Sequence, residues 1–273
     1  MIKKKIVKTA IILTVIFALA GVGLLLYLRS LPAPQGFPIL EYHRVTKTDN
    51  SDGYSYNVPP PEFAAQMDYL VANGYTTITL IDFMKAKKGK FTMPEKPIII
   101  TFDDGYTDNF HELLPILTER KMKAVVFMIT NNINEKGYLT WDELRALQEN
   151  GMEIGSHSAN HLPITTLDAE KADEEVRLSK LLMEWNGIKT VFAFSYPNGK
   201  YDAKRDPVLL RDNEYLCAVT GDAGLNNEET DPYLLKRINV PHPRFGIYEF
   251  RWRLYKAELA ERLNLALAIF SGQ

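Results

Sequence analysis

Ile98-Ile99-Ile100-Thr101-Phe102-Asp103-Asp104-Gly105 sets a run of bulky strand formers directly against two carboxylates and a glycine. A continuous apolar run of this kind reads as a strand buried on both faces, the pattern of a parallel sheet covered by helices. Two later stretches repeat the arrangement. Met152-Glu153-Ile154-Gly155 leads into Ser156-His157-Ser158-Ala159-Asn160-His161, and Val191-Phe192-Ala193-Phe194 leads into Ser195-Tyr196-Pro197-Asn198-Gly199. Further strand-like runs occur at 39–42, 76–79, 124–129, 215–219 and 235–240. Helical patterns lie between most of them, at 61–73, 109–120, 141–150 and 168–185, the third opened by a Thr140/Glu143 capping box and stopped by Gly151. About eight strands alternating with helices predict an α/β barrel of parallel strands. Reacting residues in such barrels stand at the C-terminal ends of strands, so the three polar clusters are expected to meet on one face.

The clusters have a shared chemical reading. His157 and His161 are four residues apart, a spacing that puts two rings on one side of a helical turn. Two neutral imidazoles and one carboxylate form a site for Zn²⁺ or a similar divalent ion with positions left for water. Neighbouring side chains at a strand end diverge, so one of Asp103 and Asp104 can bind metal while the other faces the attacking water. Metal lowers the pKa of bound water from ~15.7 towards ~7, and a second carboxylate accepts its proton. A surface or capping His pair and a solvated acidic loop are the competing readings of the same residues.

Thr101-Phe102-Asp103-Asp104-Gly105 followed by His157-Ser158-Ala159-Asn160-His161 resembles the polysaccharide deacetylases of carbohydrate esterase family 4, the NodB-homology domain. The resemblance covers roughly residues 39–240 and implies a distorted (β/α)7-type barrel. It implies Asp103 as catalytic base, with Asp104, His157 and His161 as ligands of one divalent ion, zinc by preference. It also implies that the backbone N–H of Asn198 binds the oxyanion. The arginine of the family's third motif is absent from Ser195-Tyr196-Pro197-Asn198-Gly199. Arg237 is compatible both with an ion pair to Asp103 and with a core-capping role. Ile39-Leu40-Glu41-Tyr42-His43 resembles the Tyr-His opening of an extracellular subgroup. For the general acid that protonates the leaving amine, His242 is preferred and His43 is the alternative, also read as a substrate contact. Tyr106, Tyr196 and Trp141 are candidate sugar platforms.

The reaction so implied is hydrolytic N-deacetylation of N-acetylhexosamine residues in an extracellular or cell-wall polysaccharide. Two rivals stand beside it. A catalytically silent, membrane-tethered glycan-binding module is opposed by the intact Asp103, Asp104, His157 and His161. A metal-dependent hydrolase of another amide or of O-acetyl groups shares the ligand set.

The 273 residues include 32 basic and 34 acidic ones, a formal charge of −2. Residues 1–29 hold five of the basic residues and no acid, so the remainder carries 27 against 34, or −7. An acidic body lacks the electrostatic footprint of nucleic-acid binding. The single cysteine, Cys217, excludes an intramolecular disulfide. Lys3, Lys4, Lys5 and Lys8 precede an uncharged run of twenty residues, 9–28, long enough at ~1.5 Å per residue for a hydrocarbon core of ~30 Å. Lysines before the run predict a cytoplasmic tip and an outward-facing body. An uncleaved anchor is expected, because the apolar run is long and 31–34 offers no small-x-small cleavage site; a cleaved signal peptide is the alternative. The expected organisation is therefore tip and anchor at 1–30, a Pro-containing linker at 31–38, the barrel at 39–243 and C-terminal packing helices at 244–273.

Overall fold

The computed structural model describes residues 2–32, 36–47 and 56–271, so the central part of the expected linker, 33–35, lies outside the described residues. The chain divides into two compact units. Gly36–Ala257 form one, and Met1–Gln35 with Glu258–Gln273 form the other.

The larger unit is built on parallel strands β1 (Ile39–Tyr42), β5 (Pro97–Phe102), β6 (Val125–Met128), β7 (Glu153–Ser156), β8 (Ala193–Ser195), β9 (Cys217–Val219) and β10 (Ile238–Asn239). They lie in the order β10-β1-β5-β6-β7-β8-β9. A single parallel bridge between Val219 of β9 and Leu235, just ahead of β10, joins the two ends of this path. The expected run at 76–79 forms only a short strand, β4 (Thr76–Thr77), paired with the start of β5 and outside the ring. Thr79 instead caps a helix, α3 (Leu80–Ala86), through a reciprocal box with Asp82. A second short pair, β2 (Arg44–Val45) and β3 (Asn57–Val58), lies beside the ring.

Period-two alternation sorts the strand residues into two cores. Ile39, Ile99, Val125, Phe127, Cys217, Val219 and Leu235 pack with one another on one face. Their strand neighbours Leu40, Ile98, Ile100, Val126 and Ala218 pack on the other, with α2 (Pro60–Ala72), α5 (Trp141–Glu149) and α6 (Ala169–Trp185). Continued by two residues, the first face runs from Ile39 to Glu41 and His43, and from Ile99 to Thr101 and Asp103. The apolar interior thus turns polar at the C-terminal ends of its strands. The pairs Glu41↔Thr101 and Glu41↔Asn239 fix this register across three strands.

The stretch 109–120 begins as a wide helical turn (Asn109–Leu113) and continues as α4 (Leu114–Glu119). A further helix, α7 (Asp206–Asp212), precedes β9. The C-terminal region is one helix, α8 (Ile247–Ser271), which buries Phe250 and Leu254 in the larger unit. In the smaller unit α1 (Ile2–Ser30) contains Val7–Ser30, the one helix among the described residues long and apolar enough to cross a membrane. Arg262 donates hydrogen bonds to the carbonyls of Leu28 and Leu31 in that unit, at 3.1 and 2.8 Å, and satisfies acceptors at the end of α1.

Candidate active site and metal centre

Sheet hydrogen bonding extends past the last residues of β5 and β7 into the polar clusters themselves. Asp103 N–H donates to the Tyr42 carbonyl and His157 N–H to that of Met128, both at 2.9 Å. The backbones of both residues are thereby fixed by the sheet. Immediately beyond, Asp104 turns to φ 73° and Gly105 to φ 77°, which sends the two carboxylates in different directions. A Cβ at Gly105 would stand 2.0 Å from Met128 Sδ, so this turn needs glycine. Ser158, His161 and Asn198 also have positive φ, at 63°, 59° and 57°. Left-handed non-glycine residues are costly, and four of them stand at this end of the sheet.

His157 and His161 therefore come from an irregular loop and not from the helical turn expected of their spacing. Ser158 Oγ accepts from the His161 N–H at 2.9 Å, and buried Glu175 of α6 accepts from the Asn160 backbone N–H at 2.8 Å. These bonds replace a helix as the support of the pair.

Asp104, His157 and His161 fit a divalent cation. Asp104 Oδ1 lies 3.6 Å from Nε2 of each histidine, close to the ~3.3 Å separation of ligands placed tetrahedrally at ~2.0–2.1 Å from zinc. His157 Nδ1 donates to the Ser195 carbonyl at 2.8 Å, which leaves the Nε2 lone pair facing Asp104. Burial pushes the His157 pKa down, favouring the neutral ring that a metal requires.

Asp103 faces a different partner. Arg237 Nη1 and Nη2 donate to its two oxygens, both at 2.8 Å, and Ser195 Oγ donates at 3.1 Å. Burial alone would raise the carboxyl pKa, but the Arg237 guanidinium and His157 outweigh it and hold Asp103 well below the usual range. Arg237 is itself 1% exposed and is anchored by its Nε to the Thr220 carbonyl at 2.9 Å. The ion pair, and not an isolated core-capping role, is what the structure shows. Asp103 thus takes its arginine from the approach to β10.

The cleft encloses about 460 Å³. Asn198, Gly199 and Gly221 form one wall, where Gly199 at φ +66° approaches so closely that its Cβ would stand 2.5 Å from Gly221 Cα. Glu41, His43 and Asp103 form another, with their donor atoms all within 4.8 Å of one another. Burial raises the Glu41 pKa, opposed by Arg237. Tyr56, for which the sequence offers no signal, lies with its ring centre 4.6 Å from that of His43, the rings tilted by 52°, and is half exposed in the cleft.

Three expected site residues are not among those lining the cleft. His242, preferred as general acid, lies outside the cleft: its Nδ1 donates to the Asn57 carbonyl at 2.8 Å and its ring lines a separate groove. Tyr196 is 1% exposed, packed on Phe194 and Tyr201, and has no face to offer a sugar. Trp141 packs against the helix-covered core. Tyr106 does line the cleft, but its ring is stacked on Tyr138 at 5.2 Å and covered by the Arg44 guanidinium at 4.6 Å.

Residues 90–213 match the family model described as polysaccharide deacetylase. The Bacillus subtilis (strain 168) protein carried under the name polysaccharide deacetylase YxkH is 33% identical over 207 residues, covering 76% of this chain and 72% of that protein. The chain belongs to the polysaccharide deacetylase family. The deacetylase is also 25% identical over 239 residues to poly-beta-1,6-N-acetyl-D-glucosamine N-deacetylase of Staphylococcus epidermidis, with 78% and 82% of the two chains covered. Its fold matches that of the Streptococcus pyogenes deacetylase PplD, solved in complex with acetate, with a TM-score of 0.73 at 22% identity over 82% and 99% of the chains. The expectation of a deacetylase barrel is therefore met in both family and fold.

Proposed function

We propose that this deacetylase removes N-acetyl groups from a poly-N-acetylglucosamine-type polymer outside the cytoplasmic membrane, using one zinc ion. The observation that carries the reading is the division of labour at one strand end: Asp104 stands against two imidazoles while Asp103 stands against Arg237. Asp104, His157 and His161 would hold the ion. When bound, it supplies Lewis acidity that polarises the acetyl carbonyl and makes water a nucleophile near neutral pH.

The remaining chemistry belongs to side chains. Asp103, kept ionised by Arg237, accepts a proton from the water that attacks the acetyl carbon. The left-handed turn at Asn198 sets a backbone N–H at the cleft wall for the developing oxyanion, an interaction often worth ~3–4 kcal/mol. His43, on the cleft wall with Glu41 and Asp103, donates the proton that lets the amine leave. Tyr56 supplies the aromatic face on which a sugar ring can rest. Acetamide plus water becomes amine plus acetate, with no redox partner. The poly-β-1,6-N-acetylglucosamine preference rests on the similarity to the staphylococcal relative.

For topology, Val7–Ser30 acts as an uncleaved single-pass anchor, with the lysines inside and the barrel outside. Tip and anchor at 1–30, linker at 31–38, barrel at 39–243 and tail at 244–273 are the corresponding segments. The test is acetate and primary-amine release from poly-β-1,6-N-acetylglucosamine, peptidoglycan and chitin oligomers, before and after chelation. Equal amounts of acetate and amine from the β-1,6 polymer, abolished by chelator, are expected. No release from any of the three refutes the reading.

A further inference from the structure

Three large aromatic side chains close to the last strand are left outside the fold. Phe245 is 75% exposed, Tyr248 72% and Trp252 55%. Tyr248 and Trp252 are four residues apart on α8 and so share a face. The helix is already docked by a different face, through buried Phe250 and Leu254. The aromatic stripe is therefore not needed to hold α8 in place. Contiguous exposed aromatics of this size mark a binding surface.

The stripe lines a groove of about 690 Å³ together with His242 and Arg253, within the ~300–1,000 Å³ typical of small-ligand pockets. Its polar rim is set in place by the protein. Arg253 is paired with Glu249 at 2.8 Å, and Glu249 accepts from the Arg244 backbone N–H at 2.9 Å. The groove also adjoins the catalytic cleft at two points. Arg253 Nη1 donates to the carbonyl of Asn239, a cleft residue, at 3.2 Å. His242 is bonded to Asn57, the residue after Tyr56, which also lines the cleft.

We propose that this groove is a remote glycan subsite, which holds sugar residues of the same chain whose acetamido group occupies the cleft. The inference rests on the polysaccharide reading above. A hexosamine presents an apolar C–H face to stack on flat rings and hydroxyls to meet Arg and Glu side chains. The groove offers both surfaces, and the hydrogen bond from its Arg253 to the cleft residue Asn239 places it near enough to select a polymer reaching from the cleft over a separate small ligand. A polar rim that is hydrogen-bonded beforehand lowers the ordering cost of binding.

The test uses the full chain in detergent micelles and the double variant Tyr248→Ala/Trp252→Ala. Substrates are N-acetylglucosamine oligomers of increasing length and a small chromogenic acetate ester. In the native protein KM falls as the oligomers lengthen. In the variant that dependence is lost: KM for the longest oligomer rises about tenfold, equivalent to ~1.4 kcal/mol, while ester turnover is unchanged. A variant with native length dependence, or with equal losses on ester and oligomers, overturns the proposal. So does loss of vesicle binding or self-association with polymer KM unchanged, which would make the stripe a lipid-facing or self-docking surface. If the native protein cleaves the ester but no oligomer, the polysaccharide reading itself fails. Oligomer binding by Asp103→Asn, with and without the aromatic substitutions, then decides the subsite separately.

Discussion

Replacing Arg237 by methionine should unbalance the centre of the site in a measurable way. Arg237 and Asp103 are both almost wholly buried and joined by two 2.8 Å hydrogen bonds. Removing one member of such a pair leaves an unpaired charge in the interior and costs ~3–5 kcal/mol, a large share of the ~5–15 kcal/mol that holds a domain folded. Asp103 has one escape, which is to bind a proton. Burial, no longer opposed by the guanidinium, pushes its pKa upward. A protonated Asp103 cannot accept a proton from water, so turnover should fall ~10²–10⁴-fold. Denaturant unfolding followed by tryptophan fluorescence gives the stability loss. The decisive comparison is a double-mutant cycle with Asp103→Asn. Each single variant leaves a buried charge without its partner from this pair, whereas the double variant removes both charges, so the two losses should fall short of additive by at least ~2 kcal/mol. Additive losses, or a loss below ~1 kcal/mol for Arg237→Met, would refute the reasoning.

Other outcomes follow from the same geometry. His43→Gln should cut kcat on acetylated oligomers at least ~10²-fold, whereas His242→Gln should leave kcat on the small acetate ester near the native value; the reverse pattern would restore His242 as the acid. Glu153, at the opposite end of the barrel, is buried and its pKa is pushed up by that burial to about 8, from 4.5. Between these values the folded protein retains a proton that the unfolded chain has released, so stability falls as pH rises, by up to ~5 kcal/mol across the window. Glu153→Gln should flatten this slope in unfolding curves taken from pH 5 to pH 9, and parallel curves for the two proteins would count against it. Gly199→Ala should lower both Tm and kcat, because the added Cβ meets Gly221 at 2.5 Å and displaces the Asn198 turn; an unchanged kcat would dissociate that turn from catalysis.

Much of the scaffold was legible because local signals and global structure agree. The run at 98–102 is buried as its composition requires, and the Thr140/Glu143 box opens α5 where expected. The failures have physical causes. Thr79 and Asp82 also form a capping box, but the β-branched run at 76–79 continues the strand pattern into the cap. The spacing of His157 and His161 reads as helical, and only the positive φ values at Ser158 and His161 reveal a loop. Arg237 meets Asp103 across 134 residues, a contact that exists only once β10 pairs with β1. The pairing of β1 with β5 brings His43 and Asp103 together, while the chain after β10 carries His242 away to Asn57. Tyr196 and Tyr56 could not be told apart by residue type. One follows a strand into the core, and the other stands beside His43 in the cleft.

The most direct test of the central claim measures two quantities on three proteins: zinc bound per chain and acetate released per unit time, for the native deacetylase, Asp103→Asn and Asp104→Asn. One zinc per chain and activity are expected for the native protein, one zinc and nearly no activity for Asp103→Asn, and sharply weakened zinc binding for Asp104→Asn. Equal loss of zinc from the two variants, or full activity in Asp103→Asn, would contradict it.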